Sequence, residues 1–338
     1  MKTRNLLIIL VATGCGGNDA DTPAEPNPDQ APAPYDLAGP DHPVGVLTLD
    51  LLDESREGGR RLPTEVWYPA GRRGSLEETT VQGAPVAYRD VTPLSEGAPF
   101  PVIVFSHGDR GVAFQSTFLT IGLASRGYIV VAVTHTGNTT LDNSGKPEAK
   151  TNRPLDVSFA LTEVLAGGGG RLDGLTDPDR VGLSGHSFGA RTTLVAMARD
   201  DRFIAAFPIS PGGSETPGVT KELAIPTMII IGTLEAGDRY TAAKQVYDRL
   251  GPPRYLIGIV DAGHGAFTDV CGVIDTPELT DDGCSEGWRD PADVQTVTNR
   301  LAAPFFDHYL SGVPGAQGSF DEATLESEEL RIEMFREL

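Results

Sequence analysis

Positive charge is scarce in this chain: 27 lysines and arginines stand against 47 aspartates and glutamates, for a formal net charge of −20. A phosphate backbone is gripped by a clustered basic face, so this balance argues against nucleic acid as a partner. The acidity otherwise reads as a solvated surface. Long apolar runs are missing as well. The apolar stretch near the start, residues 6–12, falls far short of the ~20 residues that cross a bilayer. Cysteine is rare, with three in 338 residues. No histidine stands beside one at the spacing of a zinc knuckle, so no structural metal is expected. No repeat recurs and no second core is visible. Histidine occurs only six times, few enough to weigh each one.

What is present begins with an address. Lys2 and Arg4 precede the short apolar run, and Val11-Ala12-Thr13-Gly14-Cys15 follows, the layout of an export signal over residues 1–14. Its end resembles a bacterial lipoprotein signal, in which cleavage leaves the cysteine as the lipidated N-terminus; an ordinary secretory signal is the alternative. The expectation is export, with the membrane met only through a lipid on Cys15, at the cell envelope or after secretion. Residues 15–43 hold seven prolines among polar residues, a composition that cannot form a core and reads as a disordered tether. The remaining cysteines, Cys271 and Cys284, lie in one polar loop with twelve residues between them. In an oxidising compartment they form a natural disulfide.

From residue 44 the chain reads as one α/β domain to residue 338. Strands are expected at 44–50, 62–69, 101–106, 128–133, 181–183, 203–209, 225–231 and 255–260, the last of the sheet. Helices are expected at about 118–126, 154–165, 190–198, 240–250 and 292–310, before an acidic tail with at most a short helix. Continuous apolar strands alternating with helices indicate a mainly parallel open sheet covered on both faces. In that architecture ligands bind at the carboxyl ends of the strands. Residues 70–99 and 136–153 read as loops.

The chemistry centres on Gly185-His186-Ser187-Phe188-Gly189, a G-x-S-x-G pattern between a strand and a small-residue helix. Lifting a serine hydroxyl above a sheet edge requires a reversal within about two residues, which strains the serine and crowds its neighbours; glycine fits where a Cβ would clash. Serine then needs a base and an orienting carboxylate. His42 lies in the tether, His308 in the closing helix, and His186 flanks the serine and projects away. His107 and His135 end earlier strands. His264, between Gly263 and Gly265 after the last strand, is the candidate base. The acid is expected after the strand at 225–231, where Glu235 is favoured and Asp238 is the alternative. For the oxyanion, the N–H groups of Phe188 and of Asp109, in the loop His107-Gly108-Asp109-Arg110-Gly111, are the candidate donors. The Asp109 carboxylate must turn away, onto Arg110.

This order of strand, His-Gly loop, serine elbow, acid and histidine resembles the α/β-hydrolase fold over roughly residues 44–312. Val66-Trp67-Tyr68-Pro69, Ser106-His107-Gly108, the serine elbow and residues 263–271 are similar to the bacterial esterases related to dienelactone hydrolases, platelet-activating-factor acetylhydrolases and cutinase-like polyesterases. The resemblance implies hydrolysis of carboxylic esters without a cofactor, through Ser187, His264 and Glu235. Some of these relatives place the acid after an earlier strand, which here ends in Ser210-Pro211, and others carry aspartate where this chain has Glu235. A lipase, an acetylhydrolase acting on phospholipids and a polyesterase all fit within this class. The rival from another class is a non-catalytic surface lipoprotein on the same fold.

Overall fold

The structure, a computed structural model, describes residues 36–37, 39–71, 86–211, 216–271, 280–327 and 330–338. The expected export signal, Cys15 and most of the expected tether lie outside them. The last part of that tether departs from the expectation. Residues 39–43 run along the domain, where His42 N donates to Ser125 O at 2.8 Å.

Ten strands form one sheet: β1 (Val44–Asp53), β2 (Arg60–Pro69), β3 (Tyr88–Arg89), β4 (Phe100–Ser106), β5 (Ile129–Val133), β6 (Thr176–His186), β7 (Ala205–Ile209), β8 (Thr227–Gly232), β9 (Arg254–Ile259) and β10 (Ile332–Glu337), in the order β10-β9-β8-β7-β6-β4-β5-β2-β1-β3. Neighbours from β9 across to β5 are all parallel. The β5–β2 and β2–β1 pairs are antiparallel, as is β9–β10. Six helices are described: α1 (Thr117–Ser125), α2 (Ala149–Leu165), α3 (Phe188–Met197), α4 (Arg239–Arg249), α5 (Pro291–Ser311) and α6 (Glu322–Ser327). This is the mainly parallel α/β architecture that the alternation of strands and helices indicates.

The central strands are mostly apolar because both faces are covered. In β4, Ile103 and Phe105 join a core with Phe118 and Leu119 of α1 and Phe305 and Phe306 of α5. Val102 and Val104 point the other way, to Val157 and Leu161 of α2 and Val246 of α4. A period of two thus alternates between two buried layers.

Several boundaries differ from the sequence reading: β6 starts at Thr176 and β3 lies within residues 70–99, and two further differences have a clear physical reason. Helix α2 begins at Ala149, five residues before Pro154, where the proline suggests a start. Proline removes one intrahelical bond, to the carbonyl of Lys150, and Arg191 Nη1 reaches that carbonyl at 3.4 Å. The sheet also does not end at β9. Residues 332–337, read as acidic tail, pair antiparallel with it along their whole length. As an edge strand, β10 buries no residue fully, so its hydrophobic pattern is weak.

Candidate active site

The sharp turn between β6 and α3 is made at Ser187, whose φ of 58° and ψ of −116° are unusual for a residue with a side chain. Ser187 N donates to Ile209 O at 2.9 Å, which pins the turn to the end of β7. Both flanking glycines are required by contact. A Cβ on Gly185 would lie 2.6 Å from Ser106 O, and one on Gly189 only 1.8 Å from the same oxygen. The elbow is pressed against the end of β4, and the half-buried serine is lifted above the sheet.

The acid and the histidine come together across the ends of β8 and β9. Glu235 Oε2 lies 2.7 Å from His264 Nδ1, with Glu235 5% and His264 8% exposed. The other carboxylate oxygen accepts from Gly232 N at 3.1 Å and from the Ser210 hydroxyl. Asp238 is exposed and stands at the start of α4. Ser210, the residue after β7, supports the acid that follows β8. Among the described hydrogen bonds none joins the Ser187 hydroxyl to His264. In unliganded sites such bonds are often long and tighten with substrate.

Three further side chains hold this arrangement, none marked by any local sequence pattern. Asp282 Oδ1 accepts from His264 N at 3.2 Å and from Ala236 N at 3.3 Å, and its Oδ2 meets Arg239. One carboxylate thus ties the histidine loop to the acid loop, two residues before Cys284 of the Cys271–Cys284 disulfide. Gln115 accepts from Gly108 N at 2.7 Å and donates to His186 Nδ1 at 2.8 Å. The His186 proton therefore sits on Nε2, where it meets His264 O at 3.1 Å. Burial, together with the nearby His264, holds the His186 ring well below its ordinary pKa and hence neutral. Asp269, by accepting from Thr117 N and Phe118 N, caps α1 with the far end of the histidine loop.

In the His-Gly loop, Gly108 N is taken by Gln115 and Gly111 N by Gly108 O at 3.2 Å. Asp109 N is left as the loop's candidate donor, with Phe188 N at the start of α3. The Asp109 carboxylate does turn away, but onto partners other than the one expected. It accepts from Asn138 Nδ2 at 2.9 Å and from Lys146, with Arg110 no closer than 4.0 Å. Burial raises its pKa, and these hydrogen bonds outweigh that and lower it.

A second Ser-His-Asp arrangement lies beneath this loop. Ser106 Oγ is 2.8 Å from His135 Nε2, and His135 Nδ1 is 2.8 Å from Asp156 Oδ2. All three are fully buried, and Asp156 is also bound by Arg60 and Arg56. Burial pulls His135 down to about 4, so the ring is neutral. Ser106 ends a straight strand with no access to solvent, so this constellation ties β4, β5 and α2 together. Access and the strained elbow, more than hydrogen-bond order, distinguish Ser187. No cluster suited to a metal ion occurs among the described residues.

With this geometry in place, the comparison with solved structures is decisive for the fold. A ferulic acid esterase from Streptomyces cinnamoneus superposes with a TM-score of 0.71 over 89% of this chain and 99% of that one, at 24% identity. The protein has the α/β-hydrolase fold. The family model for platelet-activating factor acetylhydrolase, isoform II, matches residues 76–159 of this chain, a span that includes the His-Gly loop and stops short of the serine. The platelet-activating factor acetylhydrolase of Cavia porcellus is 28% identical over 36% of this chain and 37% of its own length. That of Canis lupus familiaris is 31% identical over 33% and 35%. The bis(hydroxyethyl) terephthalate hydrolase of Streptomyces coelicolor is 27% identical over 67% of this chain and 60% of its own. The chain therefore spans between about a third and three fifths of the length of these relatives.

Proposed function

We propose that this α/β-hydrolase is a serine carboxylic ester hydrolase. The observation that carries the reading is the 2.7 Å contact of Glu235 with His264 Nδ1, beside a serine held at positive φ on an elbow. Nδ1 donates to the carboxylate, so Nε2 is the free base. It takes the Ser187 proton as the oxygen attacks the ester carbonyl, and it gives that proton to the leaving alcohol. Glu235 stabilises the imidazolium in between. The resulting acyl-enzyme is hydrolysed by water through the same steps, with the oxyanion facing Asp109 N and Phe188 N.

Purified protein should hydrolyse short p-nitrophenyl esters, and Ser187→Ala should lower kcat by about three to six orders of magnitude with the fold intact. A fluorophosphonate should label Ser187. Turnover that survives the substitution would overturn the assignment of Ser187, and no turnover in the wild type would favour the non-catalytic alternative. Because the Streptomyces coelicolor relative is matched over 67% of this chain, bis(hydroxyethyl) terephthalate belongs in the first panel beside a series of acyl chain lengths. That panel separates acetylhydrolase, lipase and polyesterase activity.

The same proposal includes export and a lipid on Cys15. The Cys271–Cys284 disulfide supports an oxidising compartment. Incorporation of labelled palmitate into the wild type and its loss in Cys15→Ser tests the anchor.

A further inference from the structure

We infer that Arg153 is a positioning residue for the oxyanion, holding and polarising the peptide of one donor while its guanidinium lies on the side chain of the other. This deepens the ester-hydrolase reading and rests on it.

Arg153 projects from α2 and is fully buried. Its Nη1 donates to His107 O and its Nη2 to Gly108 O, each at 2.9 Å. The Gly108 carbonyl belongs to the same peptide plane as Asp109 N–H, and in a trans peptide the two point in opposite directions. A cation bonded to that carbonyl draws electron density from the nitrogen and makes its N–H a stronger donor, because hydrogen bonds in a chain polarise one another. It also sets the direction in which the N–H points. The same guanidinium lies over the ring of Phe188, 4.6 Å from its centroid, within the range of a cation–π contact. One side chain therefore touches the peptide that carries one N–H donor and the side chain of the residue that carries the other.

The neighbouring His107 does not compete for this cation. Its Nε2 accepts from His135 N at 3.0 Å, so the neutral ring carries its proton on Nδ1, where it donates to Gly108 O at 2.7 Å. The 2.8 Å approach of Arg153 Nη2 to Nδ1 is then a contact of two donors. Burial first, and Arg153 second, hold His107 well below its ordinary pKa.

The charge itself is unusual in its setting. Among the described residues no carboxylate lies within ion-pair distance of Arg153, and its buried Nε has no partner. A buried cation without a paired anion is costly to hold. Burial pulls its pKa down to about 9, with Asp109 and Asp156 opposing that only through space. The missing anion is supplied when the carbonyl oxygen becomes an oxyanion on the far side of the Gly108–Asp109 peptide. A charge arranged in advance for the transition state needs no reorganisation when the reaction occurs.

The test compares wild type, Arg153→Met, Arg153→Lys and Arg153→Gln, each checked for folding by circular dichroism. Four quantities are read: kcat and KM for a p-nitrophenyl ester, the inhibition constant of a trifluoromethyl ketone of the same acyl chain, and that of the matching ether. The ketone forms an oxyanion on the serine and the ether cannot. Losing an oxyanion donor outright costs 10²–10³ in kcat. Weakening one through its peptide should cost about 10- to 100-fold, with KM changed less than about threefold. The ketone should weaken by the same factor and the ether hardly at all, with Lys intermediate. Should the Met protein not fold, Lys and Gln carry the same comparison. A kcat within about threefold of wild type, or ketone and ether weakened alike, overturns the inference. A wild type with neither turnover nor labelled serine removes the ester-hydrolase reading, and this inference with it.

Discussion

Reducing the Cys271–Cys284 disulfide should uncouple His264 from Glu235 before it unfolds the domain. The bridge closes a loop with a sequence separation of 13, and such a closure stabilises by about 3 kcal/mol in the chain-entropy model. At about 1.4 kcal/mol per factor of ten, reduction makes states with the loop detached roughly a hundredfold more populated. The loop matters because it carries Asp282, whose one oxygen bonds both His264 N and Ala236 N. It also passes so close that a Cβ on Gly283 would lie 2.7 Å from the carbonyl carbon of Gly263. When Asp282 leaves, the backbone link that remains between the two loops, Leu234 N to Ala262 O at 3.1 Å, lies before both Glu235 and His264. A misplacement of about 1 Å in a catalytic group can cost about a hundredfold in rate, so kcat should fall by one to two orders of magnitude.

The assay is turnover in dithiothreitol at temperatures where the far-UV circular dichroism is unchanged, with hydrogen exchange at the His264 and Ala236 amides measured alongside. Asp282→Ala in the oxidised protein should reproduce much of the loss. Mass spectrometry of the non-reduced protein should find the cross-linked peptide. Reduced protein with full kcat and undiminished amide protection would refute the reasoning, as would activity lost only together with the global fold.

Other outcomes follow from the same geometry. Glu235→Gln should cost on the order of a thousandfold in kcat, whereas Asp238→Asn, altering an exposed side chain at the start of α4, should cost little; the reverse ranking in steady-state kinetics would transfer the role. The fluorophosphonate that labels Ser187 should leave Ser106 unmodified in peptide mapping, although Ser106 also has a histidine and an aspartate in line. Stability should fall as pH drops below about 6.5. His135 titrates near 6.5 unfolded and about 4 folded, so the unfolded chain binds the extra proton in that window. The difference of about 2.5 units corresponds to roughly 3 kcal/mol. His107 and His186, also lowered, act in the same direction. Urea midpoints that are equal at pH 7.5 and 5 would contradict this.

Much of the fold was legible because the central strands are buried on both faces, which leaves runs such as residues 101–106 unmistakably apolar. Strand β10 was not legible, since only Ile332 and Met334 lean on the core and the rest faces solvent. The start of α2 was hidden by Pro154, whose lost bond is offset by Arg191 from another helix. Arg153 and Asp156 lie three apart on that helix, a spacing that places them on one face, but nothing local says that the face meets the His-Gly loop.

From the sequence alone came the parts of the site that a few adjacent residues determine: the elbow serine with its two glycines, the histidine between glycines after a strand, and two cysteines close enough to bridge. These depend on short-range sterics, which leave a mark in the local pattern. The choice between Glu235 and Asp238 was of another kind, because both share one loop. Only the folded chain decides which carboxylate meets His264, by bringing Gly232 N and the Ser210 hydroxyl to the other oxygen of Glu235. Asp282, Gln115 and Arg153 likewise act on partners 18, 71 and 46 residues away. A hydrogen bond across such a separation imposes no spacing on the sequence, so it exists for the reader only once the sheet has brought its ends together.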